Sequence, residues 1–147
     1  MTYLTRAPIQ LDLLIAEVAG PDRGGVASFL GTVRDHHGGR AVLGLEYSAY
    51  DQMAEAVCGE ILLEAAARWP VRVTLRHRLG ELAIGDVAVA VVAAGGHRDE
   101  AFAACRYVIE ELKRRVPIWK RERYSDGTVE WVGGTASAET ANPGSRS

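Results

Sequence analysis

Residues 112–121 read Leu-Lys-Arg-Arg-Val-Pro-Ile-Trp-Lys-Arg and join the most regular predicted helix of the chain to the strand that follows it. Pro117 disfavours helical backbone at the residue before it, so the helix is expected to end there. Before the bend, apolar residues recur at helical spacing and predict one buried face, made of Ala101, Phe102, Cys105, Val108, Ile109 and Leu112. After the bend, side chains alternate over residues 118–124 and predict a strand.

Two lysines bracket this bend. Lys113 falls one turn beyond Ile109, at the edge of the apolar helix face, and Lys120 shares a strand face with Ile118. Both amines are therefore expected to be half-buried. Desolvation and neighbouring cations lower a lysine pKa, which frees the amine to act as a nucleophile or a base. The alternative interpretation is a solvated cationic helix end, because Lys and Arg favour the helix C-terminus.

The composition is that of an ordinary globular domain. The chain has 147 residues, 48% of them hydrophobic and 24% charged, which suits one domain with a real core. A net charge of −2 excludes a general basic field, so nucleic-acid binding would need a local patch. No signal peptide or bilayer-spanning run is visible, and we expect a cytoplasmic protein with buried free thiols at Cys58 and Cys105. The four histidines are too scattered to predict a metal site.

The order of predicted elements indicates a single α+β domain with a mixed sheet and flanking helices. Strands are predicted over residues 24–34 and 41–47, paired as a hairpin around the polar loop 35–40. A helix capped by Asp51 follows, then a strand over 71–79, a turn over 80–85, a buried strand over 86–94 and a helix over 98–115. The domain is predicted to span residues 1–132. Gly, Ser, Thr and Ala dominate residues 133–147 and predict a flexible C-terminal tail.

A second cationic position lies at the start of the last helix. Gly95-Gly96-His97-Arg98 follows a buried strand, and the free N–H groups of a helix N-terminus attract anions. A glycine turn with two exposed polar residues is the alternative. Arg34 ends a predicted strand and is a good bidentate ligand for an anion. Arg98 and Lys113 are fifteen residues apart, roughly 22 Å along a helix, so one small ligand can contact both only if a second copy supplies one of them.

Several segments, in order, resemble the catalytic (large) subunit of molybdopterin synthase. The hairpin motif of that family is similar to Phe29-Leu30-Gly31-Thr32-Val33-Arg34-Asp35-His36, and its next strand is similar to Leu45-Glu46-Tyr47. Further matches are His77-Arg78-Leu79-Gly80-Glu81-Leu82 with Gly85-Asp86, His97-Arg98 with Ala101-Phe102, and Leu112-Lys113 with Pro117-Ile118-Trp119-Lys120-Arg121-Glu122. The resemblance covers about residues 24–132.

The resemblance implies an α/β hammerhead fold and a homodimer that binds a small ubiquitin-like sulfur carrier subunit at each end, giving a heterotetramer. The carrier's C-terminal Gly-Gly thiocarboxylate would enter the pocket and transfer two sulfurs to cyclic pyranopterin monophosphate, forming the molybdopterin dithiolene. No metal or other cofactor is implied. By position, Lys113 and Lys120 correspond to the family's catalytic lysines. The substrate-binding positions correspond to Thr32, Val33, Arg34, His97, Arg98, Lys113, Lys120, Arg121 and Glu122.

Two other functions compete with this prediction. A non-catalytic module that only docks the tail of a ubiquitin-like protein predicts binding without product. An RNA-binding domain would use arginines such as Arg72, Arg76 and Arg123 and predicts an affinity that falls steeply with salt. The net charge and the few aromatic residues disfavour the RNA-binding function, and we expect no nucleic-acid or membrane partner.

Overall fold

The computed structural model describes residues 1–132, which form nine strands and three helices. In chain order these are β1 (Leu4–Thr5), α1 (Leu11–Val18), β2 (Gly25–Thr32), β3 (His36–His37), β4 (Arg40–Ala49), α2 (Asp51–Arg68), β5 (Val71–Arg78), β6 (Gly80–Ala83), β7 (Val87–Gly95), α3 (Arg98–Arg115), β8 (Ile118–Tyr124) and β9 (Val129–Val132). The tail predicted over residues 133–147 lies outside the described residues.

The first sheet has the strand order β1-β5-β7-β2. Strand β1 is parallel to β5, whereas β5 and β2 both run antiparallel to β7, so the sheet is mixed as predicted. Eight of the nine residues of β7 are buried because helices cover both of its faces. Val89, Val91 and Ala93 pack toward α2 and α3, and Ala90, Val92 and Ala94 pack toward α1. This double burial explains the continuous apolar run in the sequence.

The second sheet has the order β3-β4-β8-β9, with β6 paired to the other edge of β4. The predicted hairpin between residues 24–34 and 41–47 is therefore wrong. Strand β2 pairs with β7, and β4 pairs with β8 and β6. After an irregularity between Gly31 and Thr32, the N–H of Val33 donates to the carbonyl of Asp86, 3.0 Å away, where the chain leaves the first sheet. The alternating pattern identified both strands but not their partners.

The turn predicted over residues 80–85 is wrong in its first part. Residues 80–83 form β6, in which Leu82 lies opposite Leu45 and is buried. The turn itself follows, with a positive φ at Gly85 and the N–H of Ala83 donating to the Asp86 carboxylate. A four-residue strand gains its stability from the neighbouring strand and is hard to recognise in isolation. Strand β9, also four residues long, was not predicted for the same reason.

The helices follow the predicted bounds closely. Helix α2 begins at Asp51 with Tyr50 as its N-cap, so the predicted capping role of Asp51 is wrong by one residue. Helix α3 spans the predicted residues and ends at Arg115, and its C-cap Val116 has an extended backbone, as expected before a proline. Phe102 is 63% exposed, contrary to its predicted place on the buried face, and Ala104 occupies that face instead.

Two smaller observations concern the thiols and the membrane. Cys58 and Cys105 are buried and free, as predicted. Within residues 1–132, none of the helices combines the length and apolar character that a bilayer crossing requires.

Candidate active site

A cavity of about 430 Å³ lies where the two sheets and the end of α3 meet. Its apolar wall includes Val89, Leu112 and Ile118. The polar groups that line it are three cations and three hydrogen-bonding side chains, namely Arg34, Lys113, Lys120, Thr32, Tyr47 and His77. The excess of positive charge over an apolar floor suits a small anionic ligand with an organic ring.

The chain contains two lysines, Lys113 and Lys120, and both line this cavity. Helix α3 supplies Lys113 from its last turn, and β8 supplies Lys120 from the face that also carries Ile118. The predicted half-burial is confirmed for Lys120, whose side chain is 21% exposed. It is wrong for Lys113, which is exposed, because Leu112 takes the buried position of that turn.

Burial sets the charge properties of Lys120. Desolvation lowers the pKa of its ammonium, Glu122 opposes this shift, and the positive charges of Lys113 and Arg34 reinforce it. A lysine with a lowered pKa gives up a proton more readily than an exposed one, which suits a proton donor to a developing anion. The surroundings of Lys120 thus lower the pKa of its amine.

Strand β8 places Glu122 and Arg121 on opposite faces. Glu122 is 3% exposed and accepts hydrogen bonds from His37 Nδ1 and from the Tyr124 hydroxyl, the latter at 2.9 Å. Burial alone would raise the pKa of the Glu122 carboxyl, but the His37 hydrogen bond and the Lys120 charge bring it below its ordinary value. The Arg121 guanidinium lies on the outer face, 3.0 Å from Glu46, and is not among the side chains that line the cavity.

The segment after β2 brings Thr32 and Arg34 to the cavity and turns Val33 away from it. Val33 is buried in a small apolar cluster with Leu45, Leu82 and Ala88. Its backbone is held on both sides, since its carbonyl also accepts the Gly85 N–H at 2.8 Å. Of the three predicted residues in this segment, the structure therefore gathers two around the lysines.

His97 and Arg98 stand apart from the other predicted site residues. His97 is the N-cap residue of α3 and Arg98 is its first residue, whereas Lys113 lies in the last turn of the same helix, roughly 22 Å from Arg98 at 1.5 Å per residue. His97 borders a separate open depression with Asp22, Arg23 and Glu100. Within one chain, the structure does not bring these two residues to the lysine cavity.

His77 and Tyr47 line the cavity and were not predicted as site residues. His77 Nδ1 lies 2.9 Å from the Arg78 carbonyl and donates to it, which leaves Nε2 as a hydrogen-bond acceptor. Burial lowers the pKa of His77 to about 4 and raises that of Tyr47 to about 12, so both are neutral near pH 7. Their rings pack edge to face at 4.8 Å. The sequence signal that could have identified His77 is its place on the apolar face of β5.

Comparison with known proteins identifies the family. The family model described as MoaE protein matches residues 4–115 of the chain. The chain belongs to the MoaE family. This membership confirms the resemblance found in the sequence and places the chain among the molybdopterin synthase catalytic subunits, which are sulfurtransferases of molybdenum cofactor biosynthesis.

The MoaE relatives and structures cover most of the chain. Molybdopterin synthase catalytic subunit 1 of Mycobacterium tuberculosis is 47% identical over 131 residues, which is 88% of each chain. The crystal structure of molybdopterin synthase from Staphylococcus aureus matches with a TM-score of 0.85 and 36% identity, over 90% of this chain and 96% of that one. This likeness confirms the predicted α+β fold.

A more distant MoaE-like fold occurs in a structure from Helicobacter pylori, which is a complex of subunits 1 and 2 of molybdopterin-converting factor. It matches with a TM-score of 0.69 and 20% identity, over 89% of this chain and 88% of that chain. At this level of identity the likeness concerns the fold alone.

Proposed function

We propose that the chain catalyses, in the cytoplasm, sulfur transfer from the thiocarboxylated C-terminus of a small ubiquitin-like carrier subunit to cyclic pyranopterin monophosphate. The product is the dithiolene of molybdopterin. The observation that carries the proposal is that both lysines of a 147-residue chain line one cavity, together with Arg34. A thiocarboxylate and a cyclic phosphate are both anions, so a cationic cavity attracts donor and acceptor alike.

The two lysines have different surroundings and, we infer, different tasks. Lys113 is exposed, where the end of an incoming carrier tail can reach it. Lys120 is half-buried, and its lowered pKa suits proton donation to the oxygen that develops negative charge as sulfur leaves the carrier. Arg34 and Thr32 line the same cavity and are placed to hold the phosphate.

The remaining predicted residues act from the periphery of this cavity. The buried side chain of Val33 anchors the segment that carries Thr32 and Arg34. Glu122 and Arg121 flank Lys120, Glu122 on the inner face of β8 and Arg121 on the outer face.

His97 and Arg98 enter the proposal through a second copy of the chain. They lie too far from Lys113 along α3 to bind the same small molecule within one protomer. Strand β2, the edge of the first sheet, exposes the apolar residues Val26, Phe29 and Leu30 to between 39% and 46%. An exposed apolar edge strand favours pairing with another chain, which supports a homodimer whose partner supplies His97 and Arg98.

A carrier subunit bound to each protomer would complete a heterotetramer. The structure of similar fold from Helicobacter pylori is itself a complex of two different subunits of molybdopterin-converting factor. The carrier tail would have to reach the cavity that the two sheets enclose, and the exposed position of Lys113 leaves that route open.

A single-turnover assay tests the function directly. The chain is mixed with a thiocarboxylated carrier and the pterin precursor, and product is read from the fluorescence of its oxidised form. We expect product with the natural chain and almost none with Lys113→Ala. Carrier binding without product from the natural chain would instead identify a docking module.

A further inference from the structure

The buried Glu122 carboxylate connects the cavity to a hairpin outside it. Its Oε1 accepts hydrogen bonds from His37 Nδ1 and the Tyr124 hydroxyl, and its Oε2 lies 3.8 Å from the Lys120 ammonium nitrogen. His37 and Glu122 are 85 residues apart in the chain, and their side chains are 14% and 5% exposed. Each carboxylate oxygen thus has its own partners, and only one of the two faces the lysine.

The backbone of the hairpin brings His37 to this carboxylate. Strand β3 pairs with the start of β4 through the register His37 opposite Arg40. Gly38 and Gly39 form the two-residue turn between them, with φ of 58° and 78°. Positive φ at both positions is the geometry of a tight hairpin turn and favours glycine.

Arg40, the residue that follows the turn, also holds the hairpin to the second sheet. The Arg40 guanidinium stacks 3.6 Å above the Tyr124 ring and donates to Glu130 at 2.5 Å. The hairpin therefore contacts β8 through His37. Arg40 adds contacts with both β8 and β9. Arg34 lies two residues before this hairpin, so the same contacts also restrain the segment that carries the cavity arginine.

We propose that His37 is a positioning residue for Lys120. By holding one oxygen of Glu122, His37 orients the other toward the Lys120 ammonium, which keeps the amine directed into the cavity. The inference rests on the proposed function of Lys120 in sulfur transfer. Three cations line the cavity, and the Glu122 carboxylate lies beside one of them, with its Oε2 3.8 Å from the Lys120 nitrogen. The orientation of Glu122 therefore affects the charge balance around Lys120.

The lysine amine itself provides a readout that is separate from activity. With carbon-13 lysine incorporated, the Cε resonances of Lys113 and Lys120 can be followed against pH, and Lys113→Arg assigns them. In His37→Leu, Glu122 keeps the Tyr124 hydrogen bond but loses the His37 contact from the hairpin, so its carboxylate is held less firmly beside Lys120 and we expect the pKa of Lys120 to fall further below its ordinary value. His37→Asn, whose amide can donate from about the position of Nδ1, is expected to restore it. His36→Leu is the matched control, because His36 is exposed and bonds only to Asp35 among the described residues.

Activity completes the test. We expect kcat to fall roughly ten- to a hundredfold in His37→Leu, as for a displaced catalytic group, with recovery in His37→Asn and little change in KM. An unchanged or raised Lys120 pKa in His37→Leu, with normal kcat, would overturn the positioning role while Lys120→Ala still reports on the function. Full activity of Lys120→Ala would instead refute the proposed function, whatever His37 does.

Discussion

Gly25 and His97 meet backbone to backbone where β2 and α3 begin. A Cβ built on Gly25 would lie 2.9 Å from the carbonyl carbon of His97 and 3.0 Å from its oxygen. Real Cβ atoms do not approach backbone atoms so closely, so only glycine fits without a shift of the helix start. The predicted anion-binding residues His97 and Arg98 can therefore occupy this position only because Gly25, on the neighbouring strand β2, has no side chain.

Gly25→Ala is expected to lower the free energy of unfolding by about 1–3 kcal/mol, as for overpacking in a core. Urea denaturation measures this loss. Gly59→Ala is the matched control, for which we expect a change in stability of the opposite sign. Gly59 lies inside α2, where an added Cβ would meet only Tyr3, at an ordinary distance of 3.7 Å. Alanine there should stabilise the chain by about 1 kcal/mol through helix propensity. Equal stability of the two variants would contradict the close approach at Gly25.

Removal of either lysine is expected to reduce sulfur transfer by roughly a hundredfold to a thousandfold, because Lys113 meets the carrier terminus and Lys120 donates a proton to the developing negative charge. Lys113→Ala and Lys120→Ala are compared in the single-turnover assay, with gel filtration to check that the oligomer persists. Arg106→Ala on α3 is the control, since Arg106 is exposed and pairs with Glu110 one turn away. A similar loss in Arg106→Ala would indicate a general effect of charge rather than a role in the cavity.

The buried His77 predicts a loss of stability in mild acid. Histidine in the unfolded chain titrates near 6.5, whereas burial lowers the pKa of His77 to about 4 in the folded state. Between these values the unfolded chain binds more protons, so the free energy of unfolding falls as pH falls from about 6.5 to 4, by on the order of 3 kcal/mol. Denaturant unfolding at a series of pH values measures the slope.

His77→Gln should flatten this slope, because glutamine does not titrate. A natural chain whose stability is flat between pH 6.5 and 4 would show that His77 accepts a proton in the folded state.

Mixing of two inactive variants tests whether the site is shared between protomers. If the partner copy supplies Arg98 to the cavity of Lys113, a dimer of Lys113→Ala with Arg98→Ala contains one intact site. Co-refolding of the two variants should then restore part of the activity that each lacks alone, in the same turnover assay. No recovery from verified mixed dimers would show that Arg98 does not contribute to the site of Lys113.

The sequence predicted well wherever structure depends on neighbours along the chain. The bounds of α3 and β8 were correct because a helical apolar pattern, Pro117 and strict alternation lie within one short stretch. The two cavity lysines were found by the same local reasoning. The exposure of Lys113 was predicted wrongly, because it depends on which side of Leu112 the helix packs.

Pairing across long distances in the chain was beyond such reasoning. Alternation along β2 fits any strand partner, and only the packed sheet selects β7 over β4. The contact of His37 with Glu122 joins residues 85 positions apart, so no local pattern signals it. His77 was within reach of the sequence, since a histidine among the valines of β5 is an unusual core residue.

The restriction of lysine to the cavity limits where the chain can be acylated. Of the 17 basic residues other than histidine, two are lysines, so the other fifteen are arginines. Guanidinium groups keep their proton at any physiological pH and are poor acyl acceptors. If the proposed carrier terminus is activated, it can therefore form an isopeptide bond with a side-chain amine of this chain only at the two lysines that line the cavity.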